Sequence, residues 1–222
     1  MGKTVTLTAS DGHKFSAYRA DPEGKPRGGV VVIQEIFGVN DHIRKVTDGF
    51  AAAGYAAIAP ALFDRIKPNF EVGYSEGDIM VGREMKGKSD TDAALKDIAA
   101  ARNAIKPAGK LGVVGYCWGG SLAFFAATRL SDITCAVGYY GSQIVPGVHE
   151  VPRIPLMLHF GDQDASIPLS DVETIRRARP EVAIYVYPGK HGFNCDARAN
   201  FVPASAQIAF GRTLEFLWQH VG

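Results

Sequence analysis

The apolar residues of the chain fall into short continuous runs that alternate with segments of helical spacing. The run Gly29–Ile33 contains no polar residue, which predicts a central strand covered on both faces. The next segment, 42–53, places apolar residues at helical spacing, and Gly54 ends that pattern before the apolar stretch 55–59. Together these three segments predict one β-α-β unit.

The same alternation continues to the end of the chain and predicts an α/β fold. Further strands are expected before Gly115 and around 136–140, 154–160 and 182–187, with helices at 91–105, 171–178 and 204–220. Two alternating stretches, 4–8 and 13–18, are joined by Asp11-Gly12 and predict a hairpin of antiparallel edge strands. Residues 60–89 have weak periodicity and predict a long loop with a short helix that helps to cover a site. The whole pattern predicts a mostly parallel, twisted sheet with helices on both faces.

Size and charge narrow the class of protein. The chain has 222 residues, of which 46% are hydrophobic and 21% charged, so we expect one domain spanning 1–222. The formal net charge is +1 and no basic stripe occurs, which argues against nucleic acid as a partner. Neither a signal peptide nor a stretch of membrane-spanning length is found, so we expect a cytoplasmic protein without a membrane partner. The sequence leaves the oligomeric state open, and a monomer is the working expectation.

The three cysteines differ in their surroundings. They cannot all pair within the chain, so at least one thiol is expected to be free. Cys135 lies in an apolar run and is expected to be buried, whereas Cys195 falls in a polar loop and its role stays open. Because the chain has no CxxC pair and no HExxH helix, the sequence predicts neither a metal nor a cofactor.

The third cysteine, Cys117, is placed where a nucleophile would be. The segment Gly115-Tyr-Cys-Trp-Gly119 follows an apolar strand and precedes a helix rich in small residues. Glycines two positions to each side of the central residue allow the sharp turn of a nucleophile elbow, and the helix start favours a thiolate. An ordinary tight turn with a buried cysteine is the alternative interpretation.

An acid and a histidine follow the elbow in the order that the α/β-hydrolase fold uses. The strand 154–160 leads into Asp162 and Asp164, of which Asp164 is the expected triad acid and Asp162 the alternative. His191 follows the next strand in a loop at the same edge and is the expected general base. No other histidine follows the acid in such a loop. Surface or packing roles remain the alternative for each of these residues.

The segment after the central strand, Gln34-Glu-Ile-Phe-Gly-Val-Asn40, adds an oxyanion hole. In this fold the backbone amides come from this loop and from the residue after the nucleophile, which are Ile36 and Trp118 here. Glu35 would carry a buried charge at a strand end, so we expect it to face either the thiol or an arginine.

These segments, with Gly161–Asp164 and His191-Gly-Phe193, resemble the dienelactone hydrolase (carboxymethylenebutenolidase) family of the α/β-hydrolase superfamily over nearly the full chain. The resemblance implies that a Cys117, His191 and Asp164 triad opens a lactone through an acyl-enzyme, without a cofactor. It also implies that Glu35 contacts the resting cysteine and helps to switch it to thiolate.

In that family the substrate is 4-carboxymethylenebut-2-en-4-olide, the product is maleylacetate, and arginines bind the substrate carboxylate. This activity belongs to the breakdown of chlorinated aromatic compounds. Arg83, Arg198 and Phe37 are the candidate substrate-binding residues here. The chain departs from the family pattern shortly after the histidine, where Asn194–Asp196 stand in place of an arginine.

Three other functions stay open at this point. A broader carboxylesterase acting on small esters would use the same residues. A non-catalytic binding module would keep the fold without the chemistry. A redox role would pair Cys117 with Cys195 as resolving thiol, although they lack CxxC spacing.

Overall fold

A computed structural model describes residues 2–222. Its centre is a sheet of eight strands in the order β1-β2-β4-β3-β5-β6-β7-β8. The strands are β1 Lys3–Thr8, β2 Lys14–Ala20, β3 Gly29–Ile33, β4 Ala56–Pro60, β5 Leu111–Tyr116, β6 Cys135–Tyr139, β7 Leu156–Gly161 and β8 Ala183–Tyr187.

The sheet is mostly parallel, as the sequence predicts. Strand β2 pairs antiparallel with β1 and with β4, and every other neighbouring pair runs parallel. The predicted hairpin forms, but β2 lies one strand inside the sheet because it also pairs with β4. The expectation of two edge strands is therefore wrong for β2. Strand β3 lies fourth in the order, which confirms the central position predicted for it.

Seven α-helices connect the strands within residues 2–222. They are α1 Asp41–Ala52, α2 Glu76–Gly87, α3 Thr91–Ala104, α4 Trp118–Arg129, α5 Ile144–Gly147, α6 Leu169–Ala178 and α7 Pro203–His220. Helices α1, α3, α6 and α7 lie where the sequence predicts helices, with bounds within about two residues. The segment predicted as a long loop contains a 3-10 turn at Leu62–Arg65 and the 12-residue helix α2.

The core lies on both sides of the sheet. Every residue of β3, β5, β6 and β7 is buried, which requires cover on both faces. Phe50 of α1 packs against Phe210 of α7 with ring centroids 5.7 Å apart, while α3 packs against α4. The chain thus has the layered α/β architecture that the sequence predicts, and the carboxyl ends of the parallel strands meet at one edge.

None of the helices in residues 2–222 combines the length and apolar composition needed to cross a membrane.

Candidate active site

Cys117 occupies the turn between β5 and α4 in a left-handed backbone conformation. Its φ and ψ are 54° and −116°, which few residues other than glycine adopt. Its amide donates to the carbonyl of Tyr139 at 3.0 Å, and its carbonyl accepts from Gly120 N at 2.9 Å. These bonds hold the turn so that the residue lies at the carboxyl edge of the sheet, which is the geometry predicted for the elbow.

The glycines around this turn are required by close backbone contacts. A Cβ on Gly115 would lie 1.9 Å from the carbonyl oxygen of Gly119. A Cβ on Gly119 would lie 2.4 Å from the oxygen of Ile33, and one on Gly120 would lie 2.2 Å from that of Tyr139. Helix α4 therefore sits so close to β3 and β6 that no side chain fits between them. This contact brings the start of α4 beside Cys117.

Three predicted residues form one chain of hydrogen bonds. His191 Nε2 lies 3.1 Å from Cys117 Sγ, and His191 Nδ1 lies 2.7 Å from Asp164 Oδ2. The Asp164 side chain is fully buried, and its other oxygen accepts from Ser166 N at 2.8 Å. A buried carboxylate in this position fixes the orientation of the imidazole and stabilises its protonated form. The arrangement can take a proton from the thiol and return it to a leaving group.

The pKa of His191 reflects this environment. Burial lowers the pKa of the imidazole, but the charge of Cys117 and the hydrogen bond to Asp164 raise it more, to about 10. The direction follows from the two acidic partners, which favour the imidazolium when they are ionised. A thiolate and an imidazolium side by side are the reactive form of a cysteine nucleophile.

The loop that carries His191 is held by the second aspartate of the pair. Asp162 accepts a hydrogen bond from Gly189 N at 3.0 Å, whereas the ring of His191 is hydrogen-bonded to Asp164 and Cys117. Asn200 donates to the carbonyl of His191 at 3.1 Å from the other side. Of the two candidate acids, Asp164 is the one beside the imidazole, and Asp162 orders the loop.

The backbone amides of Ile36 and Trp118 are available for an oxyanion. Within residues 2–222 neither amide donates to another protein group, and Trp118 is the first residue of α4. Free amides at a helix start favour negative charge beside them. The Ile36 loop is held by the hydrogen bond from Val72 N to the carbonyl of Phe37, at 3.0 Å, and by the close approach of Gly38 to the backbone of Phe70.

Glu35 faces an arginine, which was one of its two expected partners. The carboxylate is 1% exposed, and Oε1 lies 3.3 Å from Arg198 Nη1. Oε2 accepts from the Tyr74 hydroxyl at 3.4 Å. Burial alone would lower the pKa of Arg198, but the negative charge of Glu35 raises it. The net change is a rise, so this guanidinium stays charged. The thiol of Cys117 is hydrogen-bonded to His191 rather than to Glu35.

A cleft of ≈ 200 Å³ lies beside Cys117, with room for a small organic molecule. Seven predicted residues line it, whereas Glu35 and Asp164 lie buried behind its wall. The predicted lining residues are Ile36, Phe37, Arg83, Cys117, Trp118, His191 and Arg198. Sequence reasoning missed Lys86, Ile79, Ser142 and Ser166, which complete the lining. Lys86 stands three residues after Arg83 on α2, and the sequence did not show where in 60–89 the predicted short helix lies.

The lining of the cleft is cationic. Arg83, Lys86 and Arg198 face it, and no carboxylate in residues 2–222 is among its lining residues. Such a cleft attracts an anionic ligand, since field lines are focused where low-dielectric walls surround like charges.

The sheet order, the strand-to-helix turn at Cys117 and the edge on which these residues meet define an α/β-hydrolase. The family model of the dienelactone hydrolases matches residues 15–221. A carboxymethylenebutenolidase of Pseudomonas putida is 32% identical, over 96% of this chain and 94% of its own length. A Synechocystis protein described as a candidate carboxymethylenebutenolidase is 37% identical, over 94% of this chain and 93% of its own length. The crystal structure of a candidate dienelactone hydrolase from Klebsiella pneumoniae superposes with a TM-score of 0.85 at 29% identity, covering 98% of this chain and 100% of that one.

The chain therefore belongs to the dienelactone hydrolase family. It is a carboxylic ester hydrolase, acting on lactone or ester bonds.

Proposed function

We propose that the chain hydrolyses a small lactone that carries a carboxylate, with Cys117 as nucleophile. The specific substrate proposed is 4-carboxymethylenebut-2-en-4-olide, which would be opened to maleylacetate. The observation that carries the mechanism is the hydrogen-bonded chain of Cys117, His191 and Asp164 at the base of the cleft. The names of the Pseudomonas putida and Synechocystis relatives support the substrate.

Acylation begins when His191 takes the proton of Cys117. The sulfur attacks the lactone carbonyl carbon, and the negative charge that develops on the carbonyl oxygen is stabilised by the amides of Ile36 and Trp118. The ring C–O bond then breaks, and His191 returns its proton to the leaving oxygen. Asp164 keeps the imidazole oriented through both transfers.

Deacylation uses the same residues in reverse. A water molecule loses its proton to His191 and attacks the thioester carbon. The C–S bond breaks, the sulfur recovers the proton, and the carboxylic acid product leaves. No group other than water is consumed, and the thiol is regenerated.

The substrate carboxylate is assigned to the cationic part of the cleft. Arg83 and Lys86 line the cleft from α2, and Arg198 lines it beside Phe37, with its guanidinium carbon 5.7 Å from the ring centroid. A bound carboxylate would compete with Glu35 for Arg198. Because the negative charge of Glu35 disfavours a nearby thiolate, displacement of the Glu35 carboxylate away from Cys117 on binding would favour ionisation of the cysteine. Glu35 would thereby take part in catalysis.

The decisive experiment compares the carboxylate-bearing dienelactone with p-nitrophenyl acetate. We expect kcat/KM to be much higher for the dienelactone, and Cys117→Ala to lower it by a factor on the order of 10⁴ or more. The matched control is Cys135→Ala, because Cys135 is buried in β6 away from the cleft. This control should keep the activity of the unmodified protein.

Each other outcome removes a defined part of the proposal. Activity on the simple ester alone, lost in Cys117→Ala, would keep the mechanism and replace the substrate by small esters in general. Activity that survives Cys117→Ala would refute the nucleophile. No activity on either compound would refute the substrate class and support a binding module.

A further inference from the structure

A second cluster of reactive side chains lies behind the wall of the cleft. Glu35, His42 and Cys195 are each buried, and one possible ligand atom from each lies within 4.8 Å of those of the other two. They come from three separate segments: the end of β3, the first turn of α1, and the loop after β8. Because no two of them share a local motif, the sequence alone predicts no metal here.

The contacts of His42 leave one of its two ring nitrogens without a partner in the described residues. Its Nδ1 lies 3.0 Å from Asp196 Oδ1, while its Nε2 is buried and has no hydrogen-bond partner within residues 2–222. A carboxylate that accepts from Nδ1–H leaves the lone pair on Nε2. Histidines that bind metals are held in this way by a carboxylate on the opposite nitrogen. A buried lone pair without a donor is costly unless a cation or a proton occupies it.

The carboxylate of the cluster is only loosely engaged. Glu35 contacts Arg198 at 3.3 Å through Oε1 and the Tyr74 hydroxyl at 3.4 Å through Oε2, and both distances are at the long end of the hydrogen-bond range. Oε2 therefore accepts no charge-assisted bond within the described residues. It is the oxygen that remains for a ligand.

We propose that Glu35, His42 and Cys195 bind one Zn²⁺ ion. One oxygen, one nitrogen and one sulfur donor form a mixed set that suits a borderline-soft cation and not Mg²⁺ or Ca²⁺, which prefer oxygen. Tetrahedral zinc at its usual bond lengths places its ligands about 3.3–3.8 Å apart, so the ligand atoms would have to approach one another by at most about 1 Å. Tyr74 or water would supply the fourth ligand.

Binding would exchange a proton for the cation. Burial and then the charge of Glu35 raise the pKa of the Cys195 thiol to about 12, so the thiol is neutral when the cluster is empty. Zinc would take the thiolate, and the displaced proton would go to solvent. The three side chains then change from a net charge of about −1 to about 0 with the ion included. Zinc on Oε2 would partly neutralise the carboxylate whose Oε1 contacts Arg198, so the occupied site would make the cleft more attractive to an anion.

The test uses Cys117→Ala as the background, because the thiol of the candidate active site could itself take up zinc. After treatment with a chelator, this protein is titrated with Zn²⁺ by calorimetry and with Co²⁺ by absorption spectroscopy. We expect one ion per chain and a thiolate-to-cobalt charge-transfer band. Adding Cys195→Ser should abolish the band, and adding His42→Gln should weaken binding at least 100-fold.

The matched control is Cys135→Ala in the same background, which removes another buried thiol and should leave both readouts unchanged. Circular dichroism checks that each variant is folded. If Cys195→Ser does not fold, the result for His42→Gln alone decides between the outcomes. The absence of binding in the background protein would overturn the proposal. So would one-ion binding that is equal in the background and in His42→Gln. Neither result depends on hydrolysis, so the proposed function stands or falls separately.

Discussion

The backbone of Cys117 keeps an unfavourable conformation because its surroundings leave no alternative. A positive φ at a residue other than glycine costs about 1–3 kcal/mol, and here the turn is held by hydrogen bonds to Tyr139 and Gly120. Alanine would have a Cβ in the same place as cysteine and would carry the same strain. The loss of activity expected for Cys117→Ala therefore measures the thiol and not the turn.

The orientation of His191 depends on Asp164, and this gives a prediction about pH. Asp164→Asn should lower kcat/KM by about 10²–10⁴ and move the alkaline limb of its pH profile to lower pH. The reason is that Asp164 helps to raise the pKa of His191 to about 10, and in the proposed mechanism the imidazolium protonates the leaving group. Without the carboxylate, His191 loses its proton at lower pH. The measurement is kcat/KM from pH 6 to pH 10.5 on the proposed substrate.

The control for this prediction is Asp162→Asn. An asparagine oxygen can still accept from Gly189 N, so the loop of His191 should be retained and kcat/KM should change little. If Asp162→Asn were the damaging variant and Asp164→Asn the mild one, the acid would be misassigned.

The site residues that the sequence reveals are those that follow strands. Cys117 comes directly after β5, Asp164 and His191 come shortly after β7 and β8, and parallel strands bring their carboxyl ends to one edge. The sequence does not show whether the partner of Glu35 is the thiol of Cys117 or an arginine. Arg198 is separated from Glu35 by 163 residues and lies in a loop. A loop has no periodic sequence pattern from which its path could be predicted.

Helix α2 shows where the sequence pattern is least informative at the scale of an element. Only Gly82 and Met85 are buried in it, so it has almost no apolar stripe to predict a helix. The local evidence lies at its start, where Ser75 and Asp78 form a capping box. Strands β3, β4 and β6 were predictable because they are apolar throughout, and β1 and β2 because apolar and polar residues alternate in them. This helix is positioned by a tertiary contact, since Gly82 lies against the carbonyl of Ile36.

This contact links α2 to the loop that carries Ile36, and Gly82→Ala should disturb both. The new Cβ would lie 2.4 Å from the oxygen of Ile36, so the helix and the loop must move apart. We expect a loss of about 1–3 kcal/mol in the free energy of unfolding and a fall in kcat/KM of about tenfold or more. Urea denaturation and steady-state kinetics measure the two effects.

Gly87→Ala is the matched control in the same helix, because a Cβ there would meet no atom within 4 Å. It should preserve kcat/KM and leave stability equal or raise it by up to about 1 kcal/mol. Equal kinetics for the two alanine variants would show that α2 does not position the loop.

At the scale of the whole molecule, a buried polar network joins the last strands to the last helix. His159 of β7 is fully buried, with Nδ1 2.8 Å from the hydroxyl of Tyr187 in β8 and Nε2 3.2 Å from Thr213 Oγ1 in α7. Thr213 also bonds the hydroxyl of Tyr139 in β6 at 2.6 Å. Three strands and one helix thus share hydrogen bonds around one imidazole. Such a network stabilises the fold only while its partners stay satisfied.

This network should make the fold sensitive to mild acid. Burial, and then the charge of Arg212, lower the pKa of His159 to about 3, whereas the unfolded chain would have a pKa near its ordinary value of 6.5. Below pH 6.5 the unfolded state binds a proton that the folded state does not, so the free energy of unfolding falls as pH falls towards 3. By pH 5 the loss is about 2 kcal/mol from this group alone. His159→Phe is expected to be less stable at pH 7.5 but to lose less stability on going to pH 5, as measured by urea denaturation at both pH values.

His149→Phe, in the loop after α5, is the control and should keep the full acid dependence. If His159→Phe lost as much stability between the two pH values as the unmodified protein, protonation elsewhere would account for the acid sensitivity.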